Sequence, residues 1–86
     1  MARFELEITH SAEKQLRALD RVDQQRLAKA MLALAEDPRP RGAKKLSGYE
    51  DIFRIKVGSF RVLYSVARQR LVILILKIGH RRDVYR

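Results

Sequence analysis

The chain has 86 residues with no cysteine and only two histidines, so it forms no disulfide and is poor in zinc ligands. Its formal net charge is +9, and no apolar run is long enough to cross a membrane or to act as a signal peptide. We therefore expect one soluble, cytoplasmic domain over residues 1–86, without membrane association, metal ion or cofactor.

The positive charge is concentrated in the second half of the chain. Residues 1–38 hold six Lys or Arg and seven Asp or Glu, a net charge of −1. Residues 39–86 hold thirteen Lys or Arg and three Asp or Glu, a net charge of +10. A one-sided excess of this kind favours a polyanionic partner, with nucleic acid ahead of an acidic protein or a membrane surface.

The first half predicts one strand and two helices. Phe4–Ile8 alternates apolar and acidic residues, which is the period of a half-buried strand. Ser11 is the predicted N-cap of a first helix, and a second helix begins after Asp20 and ends before Pro38. The second helix has apolar residues at the spacing i, i+3, i+4, i+7, namely Leu27, Ala30, Met31 and Leu34.

The second half predicts three strands after a polar loop over Arg41–Asp51. Two segments of period two flank Gly58–Ser59, which has the composition of a two-residue hairpin turn. The last segment, "LVILILKI", is apolar except for Lys77 and is expected mid-sheet, with the first strand beside it. The predicted fold is α+β in the order β-α-α-β-β-β, with a helix hairpin packed on one face of a small, mainly antiparallel four-stranded sheet.

A two-residue turn sets the register of the predicted hairpin and gathers three cations on one face. Lys56 then lies directly opposite Arg61, and Arg54 lies one step further along the same side, opposite Leu63. Like charges opposite each other destabilise a sheet, so this cluster indicates an anion-binding surface. Further candidates flank it in the sequence, Lys44 and Lys45 before it and His80, Arg81, Arg82, Tyr85 and Arg86 after it.

These residue types suit metal-free attack on a phosphodiester. The chain lacks the paired acids of a metal-dependent nuclease, a glycine-rich phosphate loop and a nucleophilic serine motif. Arginine and lysine would neutralise charge on the phosphorus oxygens, and Tyr85 or His80 would move a proton. Clustered cations favour the phenolate form of a tyrosine and lower its pKa. RNA supplies its own nucleophile, the 2′-hydroxyl, so such a site would cut RNA rather than DNA.

Two segments, "KKLSGYEDIFRIKVGSFRVLYSV" and "KIGHRRDVYR", resemble the RelE/ParE superfamily of toxins, and its RelE branch in particular. The resemblance covers essentially the whole chain. It implies a ribosome-dependent endoribonuclease that cuts messenger RNA in the ribosomal A site. It also implies a cognate antitoxin that neutralises the toxin and through which alone operator DNA is contacted.

The resemblance assigns roles by position. Arg54 and Lys56 match the family's basic pair, although the best-known branch has a lysine where Arg54 stands, a change that keeps charge and alters geometry. Arg61 matches the arginine that steadies the transition state, Arg81 the electrostatic arginine of the tail, and Tyr85 the general base. His80 is a second proton-transfer candidate, and the expected RNA or ribosome contacts are Lys44, Lys45, Arg82 and Arg86.

Two other functions remain open at this point. The superfamily includes ParE-type toxins, which inhibit DNA gyrase without cutting RNA. A degenerate toxin that acts only as a co-repressor with its antitoxin is the other alternative.

Overall fold

Two helices pack on one side of a five-stranded sheet in the computed structural model, which describes residues 3–80. The elements in chain order are β1 (Glu5–Ile8), α1 (His10–Arg17), α2 (Arg21–Glu36), β2 (Lys44–Lys45), β3 (Ile52–Val57), β4 (Phe60–Ala67) and β5 (Val72–His80). The strand order across the sheet is β1-β5-β4-β3-β2. β1 and β5 are parallel and the other neighbours are antiparallel, so the sheet is mixed.

The α+β class and the central position of the last strand are confirmed, and the predicted number of strands is wrong. The additional strand is β2, whose residues Lys44 and Lys45 pair with Arg54 and Phe53 of β3. The sequence predicts a polar loop over Arg41–Asp51, since two consecutive lysines show no apolar alternation; both lysines are exposed in the strand. Lysines on an edge strand are common, since their charge discourages pairing with another chain.

The start of α1 also differs from the prediction. Thr9, and not Ser11, is the N-cap, and its hydroxyl accepts a hydrogen bond from the Ala12 amide at 3.1 Å. The helix therefore begins directly after β1, because Thr9 is also tied to β5 through its own amide and the Ile75 carbonyl. The second helix starts as predicted, with the Asp20 carboxylate accepting from the Asp23 amide at 2.9 Å.

The core lies between the helices and one face of the sheet. Leu27 and Leu34 of α2 are fully buried, and a side chain of this size stabilises the fold by roughly 1.5–3 kcal/mol when buried. The sheet contributes alternate residues of three strands, Phe53, Ile55, Phe60, Val62, Tyr64, Val66, Ile73, Ile75 and Ile78. Neither of the two described helices has the length and apolarity needed to cross a membrane.

A β-bulge interrupts the pairing of β4 with β5. Leu63 pairs with Lys77 and Tyr64 pairs with Ile75, so Leu76 is an extra residue in β5. β1 has ended at this level, and the N-cap residue Thr9 and helix α1 supply hydrogen-bonding groups in its place. The Thr9 hydroxyl donates to the Leu76 carbonyl at 3.1 Å, and the Gln15 side-chain oxygen accepts from the Ile78 amide at 2.8 Å.

Candidate functional site

The hairpin of β3 and β4 has the predicted register. Lys56 lies opposite Arg61 and Arg54 lies opposite Leu63, on either side of the turn at Gly58–Ser59. Gly58 has φ +62°, in the left-handed region that glycine adopts without steric cost. The three cations predicted from the sequence therefore share one face of the sheet.

We call this surface the cationic face, and define it by five basic residues on four strands. One row across the sheet runs Lys44, Arg54, Leu63 and Lys77, and the next runs Lys56, Arg61 and Gly79. At a strand spacing of about 4.8 Å, the Cα atoms of the first row span about 14 Å. Both described helices pack on the opposite face of the sheet, where Phe53, Ile55 and Val62 are buried.

Arg54 carries an unpaired donor within this face. Its Nη1 atom is buried and has no hydrogen-bond partner within residues 3–80. Leaving a buried donor unpaired costs about 1–3 kcal/mol, and more for a charged group. A phosphate oxygen would be a suitable acceptor for this donor once the side chain turns toward the surface of the sheet.

Lys45 does not belong to the cationic face. It pairs with Phe53, whose side chain lies in the core, so Lys45 points to the opposite side of the sheet from Lys44. There it lines a groove of about 550 Å³ with cations and acids, including Arg39, Glu50, Asp51, Arg68 and Arg70. This concave region lies at the end of the sheet away from Gly58, and its mixed charge is less suited to a polyanion than the cationic face.

His80 is also placed away from the predicted cluster. It pairs with Phe60, and the two rings are 4.7 Å apart between centroids. Phe60 is buried on the helix side, so the imidazole lies on the side opposite Arg61. The other predicted residues of the tail lie outside the described residues, namely Arg81, Arg82, Tyr85 and Arg86.

The tyrosines differ in their availability for proton transfer. Tyr64 is fully buried, and its hydroxyl donates to the Pro38 carbonyl at 2.7 Å. Burial, followed by the negative charge of Asp37, raises the pKa of Tyr64 to about 12, so its phenol stays protonated at neutral pH. Tyr49 is exposed in the β2–β3 loop, away from the Gly58 turn. Tyr85 is the remaining tyrosine of the chain.

The described residues offer no cluster of side chains that could hold a metal ion. Over residues 3–80, no three His, Cys, Asp or Glu side chains lie close enough together to hold a metal ion. The cationic face is instead suited to stabilising negative charge that develops on a bound phosphate.

Sequence reasoning missed Lys77 as a member of the cationic face. Strict alternation along β5 would place it beside Ile73 and Ile75 in the core, and the extra residue Leu76 reverses this. The signal that would have found it is chemical. A lysine within an apolar strand is almost never fully buried, so a break in alternation is expected next to it.

Comparison with known proteins identifies the family. Residues 6–85 match the family model described as the ParE toxin of the type II toxin–antitoxin system parDE. An Escherichia coli protein described as a RelE-like toxin is 32% identical, with 96% of this chain and 90% of that protein aligned.

Solved structures of RelE proteins have the same fold. RelE in the archaeal RelE–RelB complex from Pyrococcus horikoshii OT3 has a TM-score of 0.83 and 30% identity, covering 98% of this chain and all of that one. The intact E. coli RelBE toxin–antitoxin complex gives a TM-score of 0.79 at 28% identity, covering 90% and 95%. The chain therefore belongs to the ParE toxin family of type II toxin–antitoxin systems and is a RelE-like toxin.

Proposed function

We propose that this toxin is a ribosome-dependent, metal-free endoribonuclease that cleaves messenger RNA in the ribosomal A site and so inhibits translation in the cytoplasm. The observation that carries the proposal is the convergence of Arg54, Lys56 and Arg61 on the face of the sheet opposite the helices. A protein that needed only to fold would gain stability from a neutral or acidic residue at one of these positions.

The proposed reaction uses the nucleophile of the substrate. The 2′-hydroxyl oxygen attacks the adjacent phosphorus as its proton passes to the toxin, a 2′,3′-cyclic phosphate forms, and the 5′-oxygen leaves and is protonated. Arg61 and Lys56, which face each other, neutralise charge on the non-bridging oxygens. The Arg54 guanidinium, once its buried Nη1 turns outward, donates to the same phosphate or to its neighbour.

Tyr85 and Arg81 complete the proposed site from the tail. Tyr85 is the general base, because Tyr64 is buried and hydrogen-bonded and His80 packs against Phe60. Nearby cations would favour its phenolate form. Arg81 acts electrostatically, since a guanidinium does not lose its proton at neutral pH.

The proposed partner of the toxin is a cognate antitoxin that covers the cationic face with an acidic segment. The solved relatives include toxin–antitoxin complexes, and the net charge of +9 suits such a segment. Contact with operator DNA would then come only through the antitoxin. This mode of inhibition predicts that rising salt weakens the complex.

The test is cleavage of a translated messenger RNA by purified toxin with ribosomes, mapped by primer extension. We expect in-frame cuts within the translated region that depend on ribosomes and persist without divalent ions beyond those the ribosome needs. Arg61→Ala and Tyr85→Phe should abolish cleavage while circular dichroism shows an intact fold. Lys29→Ala, on the exposed side of α2, is the matched control and should cleave normally. Full cleavage by Tyr85→Phe would exclude the general-base role.

Inhibition of DNA gyrase is a second candidate, because the matching family model is that of the ParE toxin. Inhibition of supercoiling by purified toxin, without transcript cleavage, would select it. A wild-type toxin that neither cleaves RNA nor arrests growth would instead indicate a co-repressor role.

A further inference from the structure

We propose that Lys77 is an additional RNA-binding residue of the cationic face, and that Thr9 and Gln15 of the β1–α1 region position it there through the β-bulge of β5. This inference rests on the proposed ribonuclease function. It assigns a role to a residue that belongs to none of the predicted catalytic or binding positions.

The bulge decides which side of the sheet Lys77 occupies. Before the bulge, Ile73 and Ile75 are buried in the core and Leu74 lies on the other face. An uninterrupted strand would continue this alternation and place Lys77 in the core and Ile78 outside. The extra residue Leu76 exchanges the two, so Ile78 is buried at 2% exposure and Lys77 joins the cationic face.

Hydrogen bonds from Thr9, the N-cap of α1, and from Gln15 within α1 hold the bulge in place. β1 pairs with β5 only as far as Ile75, so the backbone of the bulge has no strand on that side. The Thr9 hydroxyl and the Gln15 side-chain oxygen bind the Leu76 carbonyl and the Ile78 amide instead. Without them these partly buried backbone groups would lose their partners, at a cost that disfavours the bulge.

The position of Lys77 suits a phosphate next to the one that is cut. It is directly opposite Leu63, which is directly opposite Arg54, so the two cations are about 10 Å apart at Cα. Half-buried Leu63 lies between them and offers an apolar surface to a ribose or base. Arg61 lies in the neighbouring row, two residues along β4 from Leu63. A single-stranded backbone crossing the sheet would therefore meet Arg54 and Lys77 on either side of one nucleotide.

The direct test compares Lys77→Met with Lys29→Met in the ribosome-dependent cleavage assay, because both changes remove one positive charge. We expect Lys77→Met to lower kcat/KM about tenfold, the effect of losing one charge-assisted hydrogen bond. The slope of log kcat/KM against log salt should also fall by about 0.7, the contribution of one phosphate of a single strand. Lys77→Arg should restore both. Equal kcat/KM and salt slope in the two Met variants would overturn the inference while leaving the ribonuclease proposal intact, whereas no cleavage by the wild type would overturn both.

A second experiment tests the positioning role of Gln15. Gln15→Leu removes the acceptor for the Ile78 amide, and Gln15→Glu keeps an oxygen in its place. We expect Gln15→Leu to reduce the salt slope of kcat/KM as Lys77→Met does, and Gln15→Glu to retain the wild-type slope. The double variant Gln15→Leu/Lys77→Met should have a salt slope no lower than that of either single variant. A Gln15→Leu variant that melts earlier but keeps the wild-type salt slope would show that the residue is only structural.

Discussion

Tyr64 offers a quantitative test of which tyrosine serves the site. Its hydroxyl is buried and bound to the Pro38 carbonyl, and its ring stacks on Phe53 with centroids 5.9 Å apart. Tyr64→Phe keeps the ring and removes the hydrogen bond, which leaves a partly buried carbonyl without this donor. We expect a loss of about 1–3 kcal/mol in the free energy of unfolding. In a domain of this size that lowers the melting temperature by roughly 4–24 °C.

The pH dependence of the free energy of unfolding separates the loss of the Tyr64 hydroxyl from an ordinary loss of packing. Burial raises the pKa of Tyr64 from 10.0 to about 12, so the folded state favours the protonated phenol. The corresponding stabilisation, about 3 kcal/mol, is fully present below about pH 10 and is lost as the pH rises to about 12. The Tyr64→Phe variant has no phenol to ionise, so its free energy of unfolding should fall less than that of the wild type between about pH 10 and about pH 12.

The assay is urea unfolding followed by circular dichroism at several pH values between about 8 and about 12. The two proteins differ only at residue 64, so the difference between the two curves isolates Tyr64. The variant should still cleave RNA at neutral pH and low temperature, because its ring lies in the core and not on the cationic face. Parallel stability curves for the two proteins would refute the argument from burial.

Three further substitutions test the placement of individual residues. Lys44→Ala should lower the salt slope of RNA cleavage by about 0.7 and Lys45→Ala should leave it unchanged, since only Lys44 is on the cationic face; equal effects would contradict the register of β2. His80→Ala should cleave normally at neutral pH, because its ring packs against Phe60; loss of cleavage with an intact fold would restore it as the proton-transfer residue. Gly58→Ala should cost about 1–2 kcal/mol in thermal unfolding because of the left-handed φ of +62°, and an unchanged melting temperature would show that the turn relaxes.

The cationic face would allow the proposed action on RNA without a deep pocket. The groove of about 550 Å³ lies elsewhere and mixes acids with bases. The cationic face is instead laid over adjacent strands, whose spacing holds Arg54, Lys56 and Arg61 close together. In the proposed function, the unfavourable contact between these cations would be relieved by a polyanion lying across them, either RNA or an acidic antitoxin segment.

The sequence was sufficient to predict the structure where a short segment of the chain determines its own geometry. The length of the Gly58–Ser59 turn set the pairing of Lys56 with Arg61, because side chains alternate with a period of two and the turn fixes which residues are opposite. The apolar pattern of the last strand placed it inside the sheet for a similar reason, since a strand buried on both faces needs neighbours on both sides.

Tertiary contacts decided the rest. Lys77 lies on the cationic face because of the β5 bulge, and the backbone of this bulge is bound by Thr9 and Gln15, more than sixty residues away in the sequence. Lys44 and Lys45 become a strand only because β3 lies beside them, and the pairing then sends them to opposite faces. Such hydrogen bonds join distant parts of the chain, so no local pattern of residues encodes them.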